Sequence, residues 1–376
     1  MASIDISQTA PVMVPPADAA EGAGAEPGRL RFEFSGTGGE YFRIWIVNVL
    51  LSILTLGIYS AWAKVRNKRY FYGSTTLKGA SFEYTANPVN ILKGRILVLS
   101  VLVVYQVVVV YAPLLAGIMG LAFVFLLPWV VVQALAFNAR YSSYRNLRFH
   151  FDGKYPEAFR YYILWTIFAI FTLGLAYPYA IYLRKGFMVN RSRYGETSFQ
   201  FSARARYFYV VYVIATLAVV GLFVGMGVLF GGIAAISGTF ADAQAGTGDP
   251  GKAHALIVAM MVMYLAVLAV VLGTAIVVQT LITNYVLQHT KLGGLGLDMR
   301  MDPMRVLWIQ LSNVVVIVLS IGMMIPWARV RIVRYRFSCL SVLETEPLDG
   351  FLASEREKIT ATGNEMGDAL DLDLGL

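Results

Sequence analysis

One stretch of this sequence occurs twice, and the spacing between its copies constrains the fold more than any other feature. Residues 30–36 read LRFEFSG, and residues 147–153 read LRFHFDG, 117 positions later. A Thr-Leu-Gly triplet follows each copy, at residues 55–57 and 172–174, again 117 apart. A weaker third copy begins near Leu297 and carries Ser320-Ile321-Gly322 in place of the triplet. The chain is therefore predicted to be built from an internal repeat.

The composition indicates an integral membrane protein. Apolar residues make up 57% of the chain and charged residues only 14%, against about 25% in an average soluble domain. The net charge is +8, but the two tails are acidic, so nearly all cations lie in residues 29–343. In a hydrophobic chain, such a surplus is typical of the cytoplasmic side of a membrane rather than of nucleic-acid binding. The single cysteine, Cys339, excludes an intramolecular disulfide.

The charge-free runs fall into two kinds. Two long runs, 96–139 and 207–290 with its polar link, are each predicted to be a transmembrane helical hairpin. Three shorter runs, 44–63, 161–183 and 306–328, contain the triplets, which weaken a helix. If all seven runs crossed the membrane, many cations would lie outside, against the positive-inside rule. We therefore expect four spans and three re-entrant or interfacial segments, with both termini cytoplasmic; seven ordinary spans are the alternative.

The predicted fold class is an α-helical polytopic membrane protein. Its repeat is a short strand, a broken or re-entrant helix, a basic aromatic stretch and a second short strand, and two transmembrane hairpins are added. Candidate strands at 30–34, 80–84, 147–151, 197–201 and 339–343 could meet in a small cytoplasmic β-sheet. The predicted organisation is a disordered tail (1–28), repeat 1 (29–146), repeat 2 (147–296), a partial repeat 3 without a hairpin (297–343) and an acidic disordered tail (344–376).

Two motifs carry a family resemblance. The pattern LRFxFxG, followed by TLGIYSAWAKVRxxRYFY at residues 55–72, resembles the YjgN family of bacterial inner-membrane proteins. The match is clearest over 30–90 and looser over 147–205. The resemblance implies a multi-pass protein of the bacterial inner membrane. It implies no substrate, cofactor or catalytic residue.

Catalysis is not expected. The three histidines, His150, His254 and His289, share no metal-ligand spacing, and the sequence contains no hydrolase, zinc-protease or P-loop motif. No cofactor or metal is therefore predicted. Uncharged polar residues of the hairpins are the candidates for a solute pathway or, alternatively, for hydrogen bonds that fix helix packing: Gln106, Gln133, Asn138, Gln279, Thr283 and Asn284.

The basic stretches are the second candidate site. They are predicted to bind anionic headgroups or to be ordinary headgroup anchors, through Lys64, Arg66, Lys68, Arg69, Arg184, Lys185, Arg191, Arg193, Arg329 and Arg331. Two functions stay open: a channel or permease for a small neutral or anionic solute, and a membrane-organising scaffold that binds anionic lipid. The expected partners are membrane lipids; a homo-oligomer is left open, and nucleic acid is not expected.

Overall fold

Ten short antiparallel strands close into a barrel in a computed structural model of the chain, which describes residues 28–236, 238, 250–344 and 347–358. The strands follow one another around the barrel in chain order, and the first pairs with the last, for example Leu30 with Val342. The strands are β1 (Arg29–Phe34), β2 (Thr75–Leu77), β3 (Ala80–Tyr84), β4 (Ser142–Tyr144), β5 (Leu147–Phe151), β6 (Ser192–Tyr194), β7 (Thr197–Phe201), β8 (Thr290–Leu292), β9 (Leu295–Met299) and β10 (Leu340–Glu344).

Five helical hairpins and four tight turns alternate as connections between the strands. Because neighbouring strands are antiparallel, all five hairpins leave from one end of the barrel, the base, and all four turns lie at the opposite end. The helices are α1 (Gly38–Leu54) and α2 (Ser60–Gly73) in hairpin 1; α3 (Pro88–Tyr111) and α4 (Pro113–Arg140) in hairpin 2; α5 (Tyr155–Phe159), α6 (Trp165–Phe171) and α7 (Tyr177–Asn190) in hairpin 3; α8 (Ala205–Ile236) and α9 (Pro250–Gln288) in hairpin 4; and α10 (Pro303–Leu319) and α11 (Ile325–Ser338) in hairpin 5. A π-helical turn, Arg160–Leu164, joins α5 to α6.

The predicted fold class is wrong. The chain is not a plain α-helical polytopic protein with a small sheet, because the strands form a closed ten-stranded barrel that organises all the described helices. Sequence reasoning placed strands at the sites of β1, β3, β5, β7 and β10, but it missed the other five. Four of those five are only three residues long, which is too short for an alternating pattern to be recognised. The predicted domain boundaries stay a prediction.

The three short hairpins turn back at the Thr-Leu-Gly triplets and at Ser320-Ile321-Gly322. Leu56 and Gly57 both have positive φ (50° and 92°), and the same pair of angles recurs at the other two turns. The Gly57 N–H donates to the carbonyl of Ser52, five residues back, which is the helix-ending Schellman pattern. The hydroxyl of Thr55 then accepts from the N–H of Tyr59, at the start of the second helix. The motif is therefore a compact helix–turn–helix joint, and none of the three segments is a straight helix.

The tips of these short hairpins are apolar and bare. The exposed fractions are 95% for Leu56, 95% for Leu173 and 94% for Ile321. An apolar residue with so little cover is unusual on a surface that faces water, and three of them sit at equivalent positions. Each of the three tips therefore presents an exposed apolar surface beyond the base of the barrel.

The two long hairpins contain four helices that are long and apolar enough to cross a membrane. These segments are Pro88–Tyr111, Pro113–Arg140, Ala205–Leu229 and Ile257–Gln288, and they are between 24 and 32 residues long. They coincide with the two predicted hairpins. Hairpins 2 and 4 thus differ from hairpins 1, 3 and 5 in length, although every hairpin occupies the same kind of position between two strands.

The interior of the barrel is filled by side chains. Alternating residues of the strands point inward and form a core that includes Leu77, Tyr144, Leu147, Tyr194 and Leu292. The Tyr144 hydroxyl donates to the carbonyl of Leu77 (2.7 Å), and the Tyr194 hydroxyl donates to the carbonyl of Tyr144 (2.8 Å). Burial raises the pKa of Tyr194 well above its ordinary value. The described barrel is therefore a packed core and not a pore.

A last helix, α12 (residues 348–358), covers the turn end of the barrel, and we call it the lid. Leu348, Phe351 and Leu352 are buried against the barrel core, and Glu355 is fully buried. The sequence predicts this segment to be part of a disordered acidic tail, whereas in the structure its apolar face completes the core. The predicted tails 1–27 and 359–376 lie outside the described residues.

Acidic side chains attach the lid to the turns. Asp349 forms ion pairs with Lys78 (2.8 Å) and Arg145 (2.7 Å), which belong to two different turns, and these hydrogen bonds lower the pKa of Asp349. Glu355 accepts hydrogen bonds from the N–H groups of Glu196 (2.7 Å) and Thr197 (3.1 Å) at a third turn. The acidity of this segment is therefore used to bind the basic and N–H-rich turn end of the barrel.

Candidate functional site

The basic residues chosen from the sequence lie between the base of the barrel and the tips of the three short hairpins. All ten lie on α2, α7 and α11, the returning helices of the short hairpins, or just after α7 at the start of β6. The repeat places them there, since each returning helix runs from a bare tip back to the barrel. We call these ten residues the basal belt.

Most of the basal belt lacks an acidic partner. Arg191 pairs with Glu157 (2.5 Å), and Arg193 pairs with Asp152 (2.8 Å). Within the described residues, the other eight form no ion pair with a carboxylate. Several of them instead hydrogen-bond neutral groups, as Arg329 does with the Tyr41 hydroxyl (3.2 Å). A belt with so few carboxylates keeps a strong positive potential that can attract anions.

The first cation of each returning helix lies at a similar distance from the bare tip. Lys64 follows Gly57, Arg184 follows Gly174, and Arg329 follows Gly322, each by seven to ten residues of mainly helical chain. At the helical rise of 1.5 Å per residue, this separation is about 10–15 Å. That distance is no more than half of a hydrocarbon core of about 30 Å.

Two lysines of the belt occupy equivalent positions in hairpins 1 and 3. Burial lowers the pKa of both Lys68 and Lys185, and in Lys68 the nearby charge of Lys64 lowers it further. The Lys68 ammonium donates to the side-chain oxygen of Asn138 (2.5 Å) and lies 4.5 Å from the ring centroid of Tyr84. Lys68 therefore links hairpin 1 to hairpin 2, in addition to its place in the belt.

A groove runs between hairpin 1 and hairpin 5, and we call it the basal groove. Its cationic part, with a volume of about 410 Å³, includes Lys64, Lys68 and Arg329. An adjoining part includes Trp45, Val49 and Ile53 and shares Ala63, Asn67 and Arg329 with the first. The groove is therefore amphipathic, with cations on one wall and apolar side chains toward the tip of α1.

Asn48 lies in the wall of the groove with an unused acceptor. Its side chain is 3% exposed, and its Nδ2 group donates to Oδ1 of Asn67 (3.0 Å), but its Oδ1 atom has no hydrogen-bond partner. The equivalent residue of hairpin 5, Asn313, uses both ends of its amide, donating to the carbonyl of Ala328 and accepting from Arg331. A buried acceptor without a partner costs free energy, so a hydrogen-bond donor that reaches this atom is bound favourably.

Sequence reasoning missed Asn48 and Asn67. The available signal was the recurrence of asparagine at equivalent places in two otherwise apolar helices, at positions 48 and 313. The polar candidates predicted from the sequence all lie in the long hairpins, and none lies in the apolar helix that precedes a basic stretch.

The structure does not bring the pathway candidates together. The side chains of Gln106, Gln133 and Gln279 are exposed, and within the described residues none of them has a side-chain hydrogen bond. Asn284 instead holds the chain before α10, since it donates to the carbonyl of Met301 (2.7 Å) and accepts from its N–H (3.1 Å).

The remaining two pathway candidates have local partners. The Thr283 hydroxyl donates to the carbonyl of Gln279 (2.7 Å), and Asn138 accepts from Lys68. These contacts are those of residues that fix local packing. The role of all six candidates stays a prediction.

The titratable side chains give no candidate metal centre in the described part of the chain. His150 is exposed on β5, and a ring nitrogen of His289 lies 2.8 Å from the carbonyl of Tyr285. Among the residues described, no group of three or more His, Cys, Asp or Glu side chains is placed to hold an ion. The expectation that the protein is not an enzyme stays a prediction.

Comparison with known proteins identifies the family. A family model described as "Bacterial protein of unknown function (DUF898)" matches residues 29–369, which includes every described strand and hairpin. The chain belongs to this family. The DUF898 match thus spans the whole barrel with its lid, so the barrel and its hairpins lie within one family unit.

Relatives with curated names bear out the YjgN resemblance and the membrane assignment. "Inner membrane protein YjgN" of Salmonella typhimurium is 34% identical over 155 residues, which are 39% of this chain and 36% of the relative. Proteins of the same name from two Escherichia coli strains are 34% identical over 122 residues, 32% of this chain and 31% of each relative. This DUF898 chain therefore spans about a third of the length of the curated relatives it matches. No solved structure gives a significant match.

Proposed function

We propose that the protein is a multi-pass protein of the bacterial inner membrane that binds anionic lipid headgroups with its basal belt. The barrel then lies on the cytoplasmic surface, and hairpins 2 and 4 cross the membrane. The observation that carries the proposal is the belt itself: eight cations without an acidic partner in the described residues, about 10–18 Å along the helices from three bare apolar tips. Inserted tips would place these cations among the phosphates of the leaflet.

The distribution of charge supports the orientation. The apex of hairpin 2, around Tyr111, carries no charged residue, whereas the barrel end carries nearly all the cations. Cytoplasmic loops carry the excess of Lys and Arg in membrane proteins, and the cytoplasmic leaflet is anionic. An orientation with the barrel and both termini in the cytoplasm satisfies both rules.

The solute-pathway hypothesis receives less support from the geometry. Its candidate residues Gln133 and Gln279 both have exposed side chains, and within the described residues neither side chain has a hydrogen-bond partner. The described interior of the barrel is also filled by apolar side chains and closed by the lid. A scaffold that organises lipid therefore fits the arrangement better than a channel or permease.

The orientation predicts a labelling pattern. In a Cys339→Ser background, single cysteines are introduced at Tyr111, at the apex of hairpin 2, and at Gly73 and Ser198, which are exposed near the barrel. A membrane-impermeant maleimide applied to spheroplasts is expected to modify only the Tyr111 position. Lysed spheroplasts, in which all three positions should react, are the control. Labelling of Gly73 or Ser198 from outside would contradict the proposed orientation.

Lipid binding predicts enrichment of anionic lipid around the protein. The protein is placed in nanodiscs of mixed phosphatidylethanolamine and phosphatidylglycerol, and the composition of the retained lipid is measured after partial delipidation. We expect enrichment of the anionic lipid, and a clear decrease when Arg66, Lys68, Arg184 and Arg329 are changed to glutamine, because phosphate contacts are lost. Glutamine at the exposed, barrel-side Arg148 and Lys291 is the control and should have no effect. Equal lipid composition in the wild type and in an empty nanodisc would refute the proposal.

A further inference from the structure

We propose that the basal groove is a specific site for one anionic glycerophospholipid whose headgroup carries a hydroxyl, of the phosphatidylglycerol type. This inference rests on the proposed function and names the ligand of one part of the belt. The groove differs from the rest of the belt in having three walls of different chemistry, and each wall matches one part of such a lipid.

The first wall matches the phosphate. Lys64, Lys68 and Arg329 line the cationic part, and within the described residues none of the three is paired with a carboxylate. Ammonium and guanidinium groups make the strongest hydrogen bonds to phosphate oxygens. Three unneutralised cations around a single cleft repel one another, so an anion between them relieves an existing cost.

The second wall matches a neutral donor next to the phosphate. Oδ1 of Asn48 is buried in the adjoining part of the groove without a hydrogen-bond partner, and Arg329 lines both parts. A headgroup hydroxyl beside the bound phosphate can donate to this atom. An amine could donate too, but its positive charge would be unfavourable beside Lys64 and Arg329. The acceptor therefore favours a headgroup that carries a hydroxyl and no cation.

The third wall matches an acyl chain. Val49 and Ile53 line the groove on the side that leads to the bare tip at Leu56. An acyl chain that follows this side stays in contact with apolar surface from the headgroup site to the tip. A soluble phosphate ester would satisfy the first two walls only, so the occupant we assign is a lipid.

The comparison of two headgroups tests the site in the unaltered protein. Phosphatidylglycerol and phosphatidylmethanol have the same charge and the same acyl chains, but only the first has headgroup hydroxyls. Native mass spectrometry of protein released from nanodiscs that contain both should show one tightly retained lipid. We expect phosphatidylglycerol to be preferred by about five- to tenfold, the effect of satisfying one buried acceptor. Equal retention of the two lipids would overturn the assignment.

Variants locate the site. Lys64→Gln, Lys68→Gln and Arg329→Gln together should weaken retention of the single lipid by about tenfold or more, because several charge-assisted hydrogen bonds are lost. The matched control removes three exposed cations from the same hairpins that lie outside the basal belt, at Arg43, Arg305 and Arg336, and should leave this lipid in place. Asn48→Leu should abolish the preference for phosphatidylglycerol, whereas Asn313→Leu, at the equivalent position of hairpin 5, should preserve it.

The outcomes separate this inference from the proposed function. If bulk anionic lipid is enriched but the groove triple variant and the control triple variant lose the retained lipid equally, the belt binds lipid and the groove is not a specific site. If no anionic lipid is enriched, the proposed function itself fails. Displacement of the retained lipid by millimolar glycerol phosphate would refute the part of the inference that assigns an acyl chain.

Discussion

Replacing Phe351 and Leu352 together by alanine is expected to destabilise the protein by about 5 kcal/mol or more, the usual cost of emptying two large core positions. Both side chains are less than 10% exposed, and both pack into the barrel core. The ring of Phe351 lies 6.4 Å from that of Tyr194 and against the turn at Gly293. Thermal unfolding of the detergent-solubilised protein, followed by tyrosine near-UV circular dichroism, measures the loss.

The same helix supplies the control for this prediction. Ala353 and Ser354 are exposed neighbours of the two buried residues, and glycine at both positions should cost about 1–2 kcal/mol, from helix propensity alone. If the Phe351 and Leu352 double variant unfolds at the same temperature as the wild type, the lid is a surface attachment and does not complete the core.

Replacing Glu355 by alanine is expected to cost about 3 kcal/mol at neutral pH. Its carboxylate is fully buried and accepts from the N–H groups of Glu196 and Thr197 and from the Thr197 hydroxyl (2.6 Å). Alanine would leave these donors without their partner, and unsatisfied buried groups are costly. Glu357, exposed on the same helix, is the matched control, and its change to alanine should have almost no effect. Chemical denaturation of both variants measures the difference.

The contribution of the Glu355 carboxylate to the free energy of unfolding should also depend on pH, in a direction that follows from its pKa. Burial alone would raise that pKa, but hydrogen bonds from Lys358, Thr197 and the N–H of Glu196 outweigh burial and lower it. A carboxyl group with a lowered pKa stabilises the fold above its unfolded pKa of about 4.3, and the contribution is lost as the pH falls through the folded pKa. The wild type and the Glu355→Ala variant should therefore converge in stability below about pH 4. A difference that grows on acidification would contradict the account of this carboxylate.

We expect the lid to detach from the barrel more readily at acid pH. Asp349 and Glu355, which lie on either side of Phe351, both lose their stabilising charge there. Release of the lid would expose the apolar mouth of the barrel. Hydrogen exchange of residues 348–358 at falling pH is the measurement that follows this step, and it complements the two stability experiments.

Several elements of the fold could be predicted from the local sequence. The 117-residue repeat located strands at β1, β3, β5 and β7, and the Thr-Leu-Gly triplets located the turns of two short hairpins. Charge-free length and the positions of the cations together separated hairpins 2 and 4 from the others. Each shorter run is long enough for one crossing only, and such crossings would place many cations outside. These features are short-range, so they can be read from residue type and spacing.

The candidate site was predicted only in part. The ten cations of the basal belt were recognised, since aromatic and basic residues near apolar runs are typical of the headgroup layer. The groove was not, because Asn48 on α1 and Arg329 on α11 are joined only when hairpins 1 and 5 become neighbours. That neighbourhood depends on the pairing of β1 with β10, the closing contact of the barrel.

The sequence by itself determined which segments are apolar, where the helices turn back and where the cations lie along the chain. Only the tertiary structure decided that ten strands close into one barrel, that the acidic segment at 348–358 seals it, and that two distant hairpins form one groove. The physical reason is that three-residue segments have almost no intrinsic preference for the β conformation or for a particular partner strand. Their pairing is stabilised by the shared core and by closure of the sheet, which are properties of the whole chain.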